Sequence, residues 1–104
     1  MATEETPLEF LQNLRREVIL IEKGFSAYIR KVDIFIKIAE EHPECLVEHP
    51  KYIDDHLFAR KSFMDAAADS KNKIKLLNEE IAREIHSPSE APMIYRLIVL
   101  FGHV

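Results

Sequence analysis

Glycine is almost missing from this chain: Gly24 and Gly102 are the only two in 104 residues. A phosphate-cradling loop, a dinucleotide fingerprint and a G-x-S-x-G nucleophile turn each need several glycines close together, so all three are excluded. Hairpin-rich β architecture is disfavoured as well, because its tight turns use positive φ. Cys45 is the single cysteine, which rules out an intramolecular disulfide framework and a four-cysteine zinc site. Positive charge is in deficit. The 14 Lys+Arg stand against 18 Asp+Glu, and a formal net charge of −4 does not draw the chain as a whole to nucleic acid. Long apolar runs are lacking too: the longest, Met93 to Phe101, is broken by Arg96 and falls far short of the roughly 20 residues that span a bilayer. The opening Met1-Ala2-Thr3-Glu4-Glu5 has no apolar segment of a secretory signal. These absences predict a protein of the cytoplasm, or of the nucleus, with no membrane span.

What is present is helix-forming sequence with clear punctuation. Thr6-Pro7-Leu8-Glu9 sets a capping hydroxyl, a proline at the first helical position and a glutamate three residues after the cap. No further proline occurs until Pro43, so the first helix can be long. Pro43 to Pro50 reads as a connection. Asp54 and Asp55 then suit the start of a second helix, and Arg83 and His86 its end, each matching the helix dipole. Beyond Pro92, Ile94, Leu97, Ile98 and Phe101 recur at the helical period. The β-branched and aromatic content there leaves a terminal strand as the alternative. The chain is therefore predicted to be all-α, with a disordered tail over 1–6 and a single helical domain over 7–104. That domain comprises helix 7–42, loop 43–50, helix 51–86, loop 87–91 and a short helix 92–102. The architecture is a long antiparallel helical hairpin plus a short C-terminal helix, closed as a three-helix bundle or as a dimerised hairpin.

The first helix is more apolar than one neighbour needs. Leu11, Leu14, Val18, Ile21, Phe25, Tyr28, Val32, Phe35 and Ala39 follow at alternating spacings of three and four, as in a coiled coil. Ile29 and Ile36 widen that seam on one side, and Leu20, Ala27, Ile34 and Ile38 on the other, so the apolar arc covers roughly 200°. The second helix has a narrower seam of Ile53, Leu57, Met64, Ala67, Ile74, Ile81 and Ile85, flanked by Phe63 and Leu77 and interrupted by Arg60, Lys71 and Asn78. The interruptions read as rim residues whose stems cover apolar neighbours, or else as polar groups that set the helix register. One such helix cannot cover the first.

Catalytic and metal chemistry find little purchase. His42, His49 and His56 recur every seven residues around Cys45, but two Glu-His-Pro stops flank what reads as a solvated loop. The Glu-x-x-His pattern of helical di-metal sites is absent, since Ala39, Ile53 and Arg83 precede His42, His56 and His86 by three. Adjacent acids such as Glu40-Glu41 and Glu79-Glu80 diverge around a helix, and Ser26, Ser62 and Ser70 have no histidine one turn away. Ser87-Pro88 has the form of a proline-directed phosphorylation motif. Neither enzyme activity, nor a cofactor, metal or small-molecule substrate, is expected. Arg16, Lys23, Arg30 and Lys37 recur every seven residues as a basic ridge, diluted in sequence by Glu22, Asp33 and Glu40.

The expected function is thus a helical adaptor or assembly subunit. It would bind a protein partner, a second copy of itself, or both, by helix packing through Leu20, Ile34, Ile38, Ile94, Leu97, Ile98 and Phe101. The alternative is a chaperone-like binder that grips an acidic polypeptide through the basic ridge. The layout resembles several three-helix modules: the tubulin-folding cofactor A family, the syntaxin N-terminal regulatory domain and the chaperone-binding BAG domains. Val18-Ile19-Leu20-Ile21-Glu22-Lys23 is similar to an early-helix segment of the cofactor family. That family's second-helix proline after a Met pair has no counterpart between Phe63 and Lys71, so the likeness is one of architecture and transfers no residue.

Overall fold

A computed structural model describes residues 5–88, 90 and 92–101. Among them are three α-helices and no strand: α1 (Pro7–Glu41), α2 (Tyr52–His86) and α3 (Met93–Phe101). α1 and α2 pair as a long hairpin to which the short α3 is added. The connection expected as plain loop contains a 3-10 turn, Pro43–Leu46. Most of the tail expected over 1–6 lies outside the described residues.

Local chemistry explains the helix limits. The Glu9 amide donates to Thr6 Oγ1 at 3.1 Å, and the Thr6 hydroxyl donates in turn to Glu9 Oε1 at 3.1 Å. One orphan amide of the first turn is satisfied in this way. Pro43 ends α1, because its ring cannot follow a helical residue without a clash. α2 carries Asp54 and Asp55 in its first turn and Arg83 and His86 in its last. α3 begins directly after Pro92, whose carbonyl accepts from the amides of Tyr95 and Arg96.

The chain divides into two compact units, one comprising 1–20 with 70–104 and the other 21–69. In the first, Leu11, Val18, Leu77 and Ile81 form a buried cluster, with Leu8, Leu14, Ile74 and Phe101 packed against it. Arg15 bridges the helices there by donating to Asn78 Oδ1 at 2.9 Å. In the second unit Val32, Ala39 and Ala67 are buried. Phe63 stacks on Tyr28 with centroids 5.3 Å apart and tilts against Phe25 at 6.3 Å. Arg60 Nε donates to Asp33 Oδ1 at 2.7 Å. Arg60 and Asn78 are therefore cross-helix ties as well as rim residues.

The buried stripes keep Leu11, Val18, Phe25, Val32 and Ala39 of the α1 seam and Ala67, Ile74 and Ile81 of the α2 seam, and depart from the sequence reading at the positions between them. Leu11 and Leu14 are covered as expected, and from Val18 onward the covered row of α1 runs Val18, Glu22, Phe25, Ile29, Val32, Ile36 and Ala39, at alternating spacings of four and three. Ile21, Tyr28 and Phe35, expected on the seam, are 50%, 53% and 46% exposed. On α2 the covered row runs Phe63, Ala67, Ser70, Ile74, Leu77, Ile81 and Glu84. Lys71 and Asn78 thus do not interrupt it, and Leu77, expected at the flank, is fully buried. Leu57, Met64 and Ile85 lie outside the covered row and are 50%, 46% and 60% exposed. The physical reason is that α1 is apolar on two adjacent rows. Its own periodicity cannot select between them, and the row that α2 offers makes the choice.

Candidate docking face

Beyond the half-exposed Ile21, Tyr28 and Phe35, α1 carries a second stripe. At about 100° per residue, Gly24, Ala27, Lys31, Ile34 and Ile38 follow at spacings of three, four, three and four, about two-fifths of a turn from the buried row. Within 21–69, Ile34 is 57% and Ile38 47% exposed. In heptad terms these residues occupy the two contact positions of a second coiled-coil seam. Tyr28 and Phe35 border it on the side toward α2, and the exposed Lys23, Arg30 and Lys37 on the other. Lys31 Nζ stands 5.3 Å from the Tyr28 ring centroid, a distance at which a cation is drawn to the ring face.

One of the carboxylates that dilute the ridge in sequence is engaged elsewhere: Asp33 pairs with Arg60 of α2 at 2.7 Å. Lys37 has only a 4.0 Å pair with Glu41, with both side chains well exposed. Lys23 and Arg30 make no hydrogen bond or ion pair among the described residues.

The remaining candidates sort by unit. Leu20 lies in the first unit and is 58% exposed. On α3, Ile98 is 53% exposed and Leu97 half-buried. Phe101 is turned inward, packed on the Leu11–Leu77 cluster beneath Lys73 Nζ at 6.0 Å, so it serves the chain's own core. The Ile94 side chain lies outside the described set. Arg16 is exposed and donates weakly to Asn13 at 3.4 Å. Val99 and Tyr95 are also widely exposed on α3, a row that the four-residue periodicity did not single out.

Sequence reasoning missed what fastens α3. Arg96 is buried, donating through Nε to Glu80 Oε1 at 2.9 Å and pairing through Nη2 with Glu84 Oε2 at 2.8 Å. Arg83 adds a bond to Glu80 Oε2 at 3.1 Å. Burial pulls the Arg96 pKa down, but the hydrogen bonds and charges of Glu80 and Glu84 outweigh it, and the guanidinium is held above its ordinary value. The signal was a lone arginine in an apolar nine-residue helix together with two carboxylates four residues apart on α2. An open groove of about 570 Å³ runs beside this cluster, lined also by His86, Ser87 and Pro88.

No group of three metal-binding side chains stands together among the described residues. His42 faces Glu44 at 3.3 Å. His56 hydrogen-bonds the Tyr52 carbonyl at 2.8 Å and packs between the Tyr52 and Phe35 rings. Cys45 is exposed and borders a hollow of about 250 Å³ with Ile38, His49 and Tyr52. Among the described residues, no helix is long and apolar enough to cross a membrane. No family model, no curated protein and no solved structure matches this chain.

Proposed function

We propose that this chain is a non-enzymatic helical adaptor or assembly subunit that docks another protein by helix packing, through the outward stripe of α1 and the exposed residues of α3. The observation that carries the reading is the exposure of Ile34 and Ile38 on a helix whose other side is already covered by α2. Scattered surface leucines and isoleucines are ordinary. A continuous stripe at heptad spacing, bordered by aromatic rings on one side and cations on the other, is the pattern of a contact seam.

The test is the pair Ile34→Glu and Ile38→Glu. Both side chains are half exposed, so the far-ultraviolet circular dichroism of the double variant should match the parent, while association with a partner is lost. A helical, unaltered complex in the double variant would remove the assignment. A second reading, capture of an acidic polypeptide by Lys23, Arg30 and Lys37, is favoured by Lys23 and Arg30 making no hydrogen bond or ion pair among the described residues. Salt separates the two. Purely electrostatic capture weakens sharply between low and physiological ionic strength, and apolar packing does not.

A further inference from the structure

Gly24 sits in mid-helix without positive φ, and a Cβ built on it meets nothing within 4 Å. Glycine lowers helix stability there, and no turn or close approach within the chain requires it. What a bare Cα permits is the close passage of another backbone, and Ala27, one step along the same seam, keeps that passage open. Small residues alone would not identify the visitor. The charges do.

In the heptad frame Gly24, Lys31 and Ile38 share one contact position, Ala27 and Ile34 the other, and Lys23, Arg30 and Lys37 occupy the border position that chooses partners. A second copy docked antiparallel through this seam would set ridge against ridge. A second copy docked parallel and in register would set Lys31 against Lys31. Both self-pairings bring like charges together, whereas acidic residues opposite Lys31 and along the ridge satisfy every one of these cations.

We infer that this face of α1 takes an amphipathic α-helix of another protein, one whose apolar stripe is bordered by aspartates or glutamates and whose backbone passes closest at Gly24. The inference rests on the docking reading above and adds to it the chemistry of the partner. Tyr28 and Phe35, packed on Phe63 and His56 of α2 yet about half exposed, border the seam, and Lys31 lies within it, where an opposing carboxylate fixes the register.

A surface-displayed library of single helices about three heptads long tests it, with apolar contact positions fixed, every charge combination at the border positions, and the full chain as bait. Selected helices should be enriched in Asp and Glu at the border. Gly24→Leu should weaken them at least tenfold and Gly24→Ala severalfold, while neither variant melts below the parent. Selection without acidic enrichment, or undiminished binding to Gly24→Leu, would overturn the inference. If Ile34→Glu/Ile38→Glu still abolished that binding, the docking reading would stand without it. Binding indifferent to Ile34→Glu/Ile38→Glu, or no helix selected, would overturn both. A dimer of the free chain in light scattering that the double variant disperses would assign the face to a second copy instead.

Discussion

Gly24 lowers the stability of α1 by about 1 kcal/mol relative to alanine, and the space around it is open. Gly24→Ala should therefore stabilise the free protein by about 1 kcal/mol, raising the thermal midpoint by roughly 4–6 °C for a domain of this size. A lowered midpoint would mean that the added methyl meets a neighbour. Thr6 gives a prediction of the opposite sign. Its hydroxyl both receives the Glu9 amide and donates to the Glu9 carboxylate, so Thr6→Ala should cost about 1 kcal/mol in chemical denaturation, with the loss confined to the start of α1. The Thr6 cap could be read directly from sequence because its partners lie three residues apart. Arg96 could not, because Glu84 and Glu80 are 12 and 16 positions away, and no local rule connects an arginine in one helix to the carboxylates of another.

A nine-residue helix has too few turns to hold itself together in water, so α3 depends on what anchors it. Phe101 supplies the apolar anchor on the Leu11–Leu77 cluster, and Arg96 the polar one. Removing Arg96 takes a buried cation from beside Glu80, which keeps Arg83, and Glu84, a loss of about 3 kcal/mol for a buried ion cluster. Arg96→Leu should thus release α3, seen as fast amide exchange over Met93–Phe101 while α1 and α2 stay protected. Adding Glu80→Gln and Glu84→Gln should restore part of the loss, since less buried negative charge then faces the missing guanidinium. If Arg96→Leu left α3 protected, the cluster would not be its anchor. The direction of the Arg96 shift also fixes a pH expectation. A raised pKa means that its contribution is fully present below the ordinary arginine range and lost only as pH rises past the folded value. Arg96 ionisation therefore adds no slope to stability between about pH 6 and about pH 9. Helix existence and the surplus of apolar surface were legible at this scale because periodicity reports them directly. The facing rows were not, since α1 is apolar on both sides of Val32, and its own periodicity cannot decide that Ile29 and Ile36 are better covered than Tyr28 and Phe35.

For the molecule as a whole, the two units differ in how well each is filled, and stability should be distributed accordingly. The first holds both side chains that are wholly buried among the described residues, Leu11 and Leu77. The second is closed by small residues, Ala39 at 3%, Ala67 at 6% and Val32 at 7%, around rings that remain partly in water. Less apolar area removed from water means less to lose on local opening. Amides of 27–39 and 56–66 should therefore exchange faster than those of 11–18 and 74–84 in the free protein. The outward stripe of α1 belongs mainly to the less filled unit, so a helix laid over Ala27, Ile34 and Ile38 supplies the apolar cover that the unit lacks. Binding stabilises whatever it binds in the folded form. Exchange over 24–39 should accordingly slow by a larger factor on complex formation than exchange over 11–18. Equal protection of both stretches in the free chain, or a partner that protects only the already quiet unit, would show that the exposed stripe is an ordinary solvated face.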